Sequence, residues 1–114
     1  MSRYLFTALN AASSTGPGPT LSFPVPTRLN ASAQPIITGA PSDATVHREV
    51  TINGTDFILF SDLGNLSSAS NTYISGIGTP LVMGYRLNLV SLSGGTSPTV
   101  TITMAIEEMP PAGV

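Results

Sequence analysis

Between residues 84 and 106 the chain reads GYRLNLVSLSGGTSPTVTITMAI, two runs of alternating apolar and polar residues joined by Ser, Gly and Thr. A period of two puts every second side chain on one face of a pleated strand. Tyr85, Leu87 and Leu89 share a face in the first run; Val100, Ile102, Met104 and Ile106 share one in the second, with Thr99, Thr101 and Thr103 opposite. Both runs are expected to be strands with one buried side. Joined as a hairpin, their apolar faces coincide if a four-residue loop, Ser93 to Thr96, sets Leu89 opposite Val100 and Leu87 opposite Ile102. A second hairpin is expected over residues 44–60, ATVHREVTINGTDFILF, where Asn53-Gly54 suits a type I′ turn. That turn sets Val50 against Phe57, Arg48 against Leu59, Glu49 against Ile58 and His47 against Phe60. Apolar groups then fall on both faces, so Ile58 and Phe60 either cover a second part of the core or meet another chain.

Upstream, SRYLFTALN alternates with Tyr4, Phe6 and Ala8 on one side, and TLSFPVPTRLN keeps Leu21, Phe23 and Val25 in phase. Pro24 and Pro26 occupy the opposite phase and have no N–H for a ladder, which predicts an edge strand or an extended crossing. The stretches AASSTGPGP, ASAQPIITGAPSD and SDLGNLSSASNTYISGIGTP read as linkers, being dense in Gly, Pro, Ser and Asn. Turn signals recur every ~8–12 residues and no helical period persists, the pattern of an all-β sandwich or barrel. The expected fold is therefore a single-domain antiparallel β-sandwich over residues 1–114, with a β-barrel as the alternative. It has an extended N-terminal segment and a short tail, EEMPPAGV.

Composition narrows the function. The chain has 114 residues, a length that makes one domain with a sizeable core. Only 9% of residues are charged, against roughly 25% in an average soluble domain. All the cations are arginines, Arg3, Arg28, Arg48 and Arg86, and the net charge is -2. Four scattered cations make no stripe to neutralise phosphates, so nucleic acid is not an expected partner. Serine and threonine contribute 14 residues each, giving exposed strand faces that are hydroxylated rather than ionic. A surface with so little charge repels its neighbours weakly, as suits a crowded assembly. There is no cysteine, hence no disulfide or thiolate metal site. The opening MSRYLFTALNAASS is interrupted by Thr7 and Asn10 and is not expected to be a secretory signal. No run approaches the ~20 apolar residues of a membrane helix, and no membrane partner is expected.

Candidate chemistry is sparse. Nucleophilic catalysis needs a base beside the nucleophile, and His47, the single histidine, lies mid-strand with Ser42 and Asp43 a few residues upstream. Glu107 and Glu108 are adjacent, so a continuing strand points them to opposite faces rather than at one substrate. Asp56, Asp62 and Asn65 are too widely spaced for a calcium loop. The Gly-x-Gly of TGPGPT precedes a proline-containing strand and not a helix, so it reads as a turn. Asn-x-Ser/Thr triplets begin at Asn30, Asn53 and Asn65, as expected in a chain so rich in Ser and Thr. The expectation is a protein that is not an enzyme and uses no cofactor or metal.

The order ATV…VTINGTDFILF, followed by GTPLVMGYRLNLVSLSGGTSPTVTITM, resembles small structural proteins of tailed bacteriophages. In that pattern a strand runs into Asn-Gly-Thr-x-Phe, and a later Tyr-Arg-Leu strand passes through Ser-Gly-Gly-Thr to Val-Thr-Ile-Thr. The resemblance spans about residues 44–104. It implies a β-sandwich module of the capsid decoration, cement, head-fibre or tail accessory type, which oligomerises and binds a symmetric lattice. The function expected from it is capsid decoration at the virion surface, as a homo-oligomer, a trimer by analogy. The major capsid protein or other virion proteins would be its partners. Contact residues are expected at Arg3, Tyr4 and Phe6 near one terminus, at Met109 and Pro110 near the other, and at Ile58 and Phe60. The alternative is a tail or fibre accessory that binds host-surface glycan. Sugar stacking calls for exposed aromatics, and Tyr73, outside any clear strand, is the candidate.

Overall fold

The computed structural model describes residues 2–109. Seven antiparallel strands form it: β1 (Arg3–Ala12), β2 (Gly16–Pro17), β3 (Leu21–Thr38), β4 (Asp43–Thr51), β5 (Ile58–Asn65), β6 (Val82–Ser93) and β7 (Thr99–Met109). They pair in the order β1-β7-β3-β6-β4-β5, with β2 added beside β6. The path does not close into a barrel. It folds over at β3 instead, whose residues Leu21 to Thr27 pair with β6 and whose residues Arg28 to Thr38 pair with β7. The register breaks between Ser22 and Thr27, where Pro24 and Pro26 withhold two ladder donors. The prolines thus mark an extended crossing between a front layer (β1, β7 and the second half of β3) and a back layer (β2, the first half of β3, β6, β4 and β5). The shortest dimension of the molecule, 18 Å, suits two such layers packed face to face about 10 Å apart.

The period-two pattern sets the core. Tyr85, Leu87 and Leu89 from the back layer meet Leu9, Val100, Ile102, Met104 and Ile106 from the front layer, all 2% exposed or less. Burying each such side chain contributes ~1.5–3 kcal/mol, making this set the main stabilising term.

The faces were legible, but the pairing differs from the expected hairpin. β6 and β7 are not neighbours, and Leu89 and Val100 enter the shared core from opposite layers rather than along a ladder. Alternation specifies which side is buried and is silent on which strand lies alongside. The connection arches from one layer to the other, with Gly94 and Gly95 at φ 77 and 69. It lies against the loop after β3 through hydrogen bonds from Thr96 N to Gly39 O (2.8 Å) and from Ser42 N to Ser93 O (3.0 Å).

The β4–β5 hairpin is present in a different register. Val50 pairs with Ile58, Glu49 with Leu59, Arg48 with Ser61 and His47 with Asp62, with bulges between. Of the two turn residues only Gly54 has positive φ (85). The Asn53 side chain explains the wider loop, because its Oδ1 accepts from Thr55 N at 2.8 Å and Asp56 N at 2.9 Å, an Asx-type cap in place of a two-residue turn. All three supposed linkers also carry strand, and SDLGNLSSASNTYISGIGTP supplies Ser61 to Asn65 of β5. ASAQPIITGAPSD supplies the second half of β3 and the start of β4, and AASSTGPGP the end of β1 and β2. Pro35 is tolerated inside β3 because its missing N–H faces the 66–81 loop, which accompanies that side of β3.

Candidate interaction surfaces

Among the described residues the pairing path ends at the outer edges β1 and β5, and β2 with the proline-bearing first half of β3 flanks β6 without a second strand partner. A further edge, along the second half of β3, is covered by the 66–81 loop. Ala33 and Ile74 exchange backbone hydrogen bonds there (2.8 and 3.0 Å), and Ile77 N and Thr79 N donate to Ala31 O and Leu29 O (3.0 Å each). β1 is kinked by register shifts after Thr7 and Leu9, with Ala11 at φ 47, a geometry that discourages strand addition along that half. β5 is different in its first half. Ile58, Leu59 and Phe60 are 57%, 59% and 37% exposed, and neither charge nor proline interrupts them. Neither Ile58 nor Phe60 is taken into the core.

These residues have apolar company. Thr27 pairs with Val82, Thr51 with Gly84, Val50 with Ile58 and Arg28 with Met109, so the starts of β5 and β6, the ends of β4 and β7 and the β3 crossing lie at one end of the sandwich. Among the described residues, seven of the eleven exposed large apolar side chains belong to that end: Val25, Ile52, Ile58, Leu59, Phe60, Leu81 and Met109. Exposed apolar groups scattered singly need no explanation, whereas a cluster at one end is a candidate contact surface.

The terminal candidates collect at the same end, since β1 begins where β7 finishes. Arg3 pairs with Glu107 in the ladder, and its Nε donates to Glu107 Oε2 at 2.7 Å. Tyr4 and Phe6 are half-buried against the core. The Tyr4 hydroxyl is buried and has no hydrogen-bond partner among the described residues. Burial first, and then the Glu108 carboxylate nearby, hold its pKa well above the ordinary tyrosine value. Met109 is 37% exposed and pairs with Arg28. Pro110 lies outside the described residues.

Sequence reasoning missed Arg48. It occupies the inward phase of β4 with Ala44, Val46 and Val50, and is 7% exposed. Its Nε donates to the Tyr85 hydroxyl at 3.0 Å, Nη1 to Ser61 Oγ at 3.0 Å and Nη2 to Gly78 O at 2.7 Å. The guanidinium also lies over the Phe60 ring at 4.8 Å. It therefore ties β4, β5, β6 and the 66–81 loop together beneath the exposed edge. The signal was available as a charged residue in the apolar phase of ATVHREV. On the opposite face Arg86 Nε donates to Glu49 Oε1 (2.7 Å), Asn88 Nδ2 to Glu49 Oε2 (2.9 Å), and the Arg86 guanidinium stacks on Phe57 at 3.9 Å. His47 Nε2 stands 3.6 Å from Asp62 Oδ2, while the Ser42 hydroxyl donates to Ser93 O at 3.3 Å. No group of three or more metal-ligating His, Cys, Asp or Glu side chains occurs among the described residues.

No protein-family model matches the chain, and no curated protein matches it. Among solved structures it is similar to the crystal structure of the SPBc2 prophage-derived protein YomS, with a TM-score of 0.56 over 93% of this chain and 94% of that one, at 18% identity. At that identity the likeness is one of fold: this chain shares its β architecture with a prophage-derived protein.

Proposed function

We propose that this chain is a bacteriophage virion structural protein that decorates and cements the capsid surface as a symmetric homo-oligomer. The observation that carries this is the apolar end of the sandwich, centred on the free edge Ile58–Leu59–Phe60. An unpaired edge offers backbone donors and acceptors to another strand, and its exposed apolar side chains add burial when one docks. The shared fold with a prophage-derived protein supports the source, and the resemblance to phage structural modules supports the role and a trimer. The mechanism is mechanical. Area buried between copies, and between each oligomer and the capsid proteins beneath it, resists separation of the shell's subunits. Closing Ile58 or Leu59 into such an interface contributes roughly 1 kcal/mol each, discounted for the part already covered. Repetition over a symmetric lattice multiplies that gain.

Quantitative mass spectrometry of purified particles tests the location. Capsid decoration predicts copies in the hundreds per particle, in fixed ratio to the major capsid protein. A few tens or fewer would assign the chain to the tail, and none would remove it from the virion.

A further inference from the structure

The outward face of the front layer has a feature that edge docking does not use. Three cross-strand rows run over β1, β7 and β3: Arg3–Glu107–Asn30, Leu5–Ala105–Ser32 and Thr7–Thr103–Gln34. The middle row is small in its centre and tall at its borders, with Ala105 and Ser32 as floor and Leu5 and Tyr73 as walls. The result is a groove of about 490 Å³ at the Arg3–Glu107 end, continuing into a narrower part of about 180 Å³ toward Gln34 and Thr103. Its size falls in the range of small-ligand sites.

Tyr73 is 77% exposed, yet its backbone is held on both sides. Asn71 N donates to Pro35 O at 2.6 Å, Ile74 N to Ala33 O at 3.0 Å, and Gln34 Nε2 to Asn71 Oδ1 at 2.6 Å. An exposed aromatic ring carried on an anchored backbone is a partly preorganised platform, which lowers the ordering cost of anything that stacks on it. The polar groups sit at the two ends of the apolar strip. At one end the Arg3 and Glu107 charges neutralise each other across 2.7 Å, offering donors and acceptors without net charge.

We infer that this groove binds a neutral pyranose unit of a glycan, its C–H face on Tyr73 and Leu5 and its hydroxyls on the Arg3–Glu107–Asn30 row and on Ser32. An apolar strip bordered by polar groups is the complement of a pyranose, which has one apolar face and a rim of hydroxyls. The mutual neutralisation of Arg3 and Glu107 favours an uncharged sugar over a phosphate or carboxylate. The site does not use the β5 edge, although its Arg3–Glu107–Asn30 row lies beside the apolar end.

Saturation-transfer NMR on the full chain tests it, with methyl glucoside, galactoside, mannoside and N-acetylglucosaminide offered in turn and adenosine as a flat-ring control. At least one pyranoside is expected to receive saturation at its ring C–H groups. Tyr73→Ala and Ala105→Leu, both exposed positions that leave folding intact, are each expected to weaken that binding by at least about fivefold. Transfer to no pyranoside, transfer to adenosine alone, or a smaller loss in either variant would overturn the assignment.

Discussion

Arg48 is the residue on which the edge strand depends. A guanidinium taken almost wholly out of water needs acceptors for its donors, and here two hydroxyl oxygens and a carbonyl, Tyr85 Oη, Ser61 Oγ and Gly78 O, accept from it without a carboxylate. Arg48→Ala strands those three acceptors and opens space beneath Phe60; a loss of ~2–4 kcal/mol is expected in urea unfolding. Arg48→Met, which restores bulk without the hydrogen bonds, should fall between that variant and the native chain. Glu49 gives a pH signature. Burial acts to raise its carboxyl, but hydrogen bonds from Asn88 and Arg86 outweigh it, leaving the group below its ordinary value of 4.5. A carboxyl lowered on folding contributes stability above its unfolded value, and that contribution is lost as pH falls through the folded one. Tm should therefore drop on acidification below about pH 4.5, and Glu49→Gln should flatten part of the drop while costing at most about 1 kcal/mol at neutral pH. Asp43, lowered by hydrogen bonds from Ser91 and Thr45, adds to the drop in the same direction. A Tm profile with the same acid slope in the variant would exclude Glu49 as a contributor.

At the scale of elements, alternation proved a reliable guide to burial and a poor one to neighbours. Every residue assigned to the inward face of β6 and β7 is buried, from Tyr85 to Ile106, because a half-buried strand must repeat every second residue. The supposed β6–β7 hairpin is instead an arch between layers, because the same faces meet equally well across a core as beside one another. Pro24 and Pro26 were informative for the opposite reason: an absent donor is a local fact, and it located the crossing of β3. Pro35 misled, since its harmlessness depends on the distant 66–81 loop. Of the candidate contact residues, Ile58 and Phe60 were legible from apolar residues on both faces of one strand, whereas Arg48 and the groove beside Tyr73 depend on elements far apart in sequence. The arch makes its own prediction. A Cβ at Gly95 would collide with the carbonyl oxygen of Gly39, and Gly95 stands at φ 69, so Gly95→Ala should cost at least ~1 kcal/mol in thermal or urea unfolding. Gly54→Ala, strained in φ but with open space around it, should cost less.

The whole molecule is a thin sandwich with a hydroxylated, nearly uncharged exterior and one apolar end. Its stability comes from the core and from the Arg48 network beneath the edge, and the exposed side chains of the apolar end add little to it. Substitutions there should therefore separate folding from assembly. Ile58→Lys and Leu59→Glu, at positions more than half exposed, are expected to shift stability by no more than about 0.5 kcal/mol. The native mass of the purified chain, measured with and without the Ile58→Lys, Leu59→Glu pair, is the most direct test of the central claim that this edge carries assembly. The prediction is an integer multiple of the 11.7 kDa protomer for the unaltered chain, and the protomer alone for the double variant. A lone protomer from the unaltered chain, or an oligomer that survives both substitutions, would contradict it.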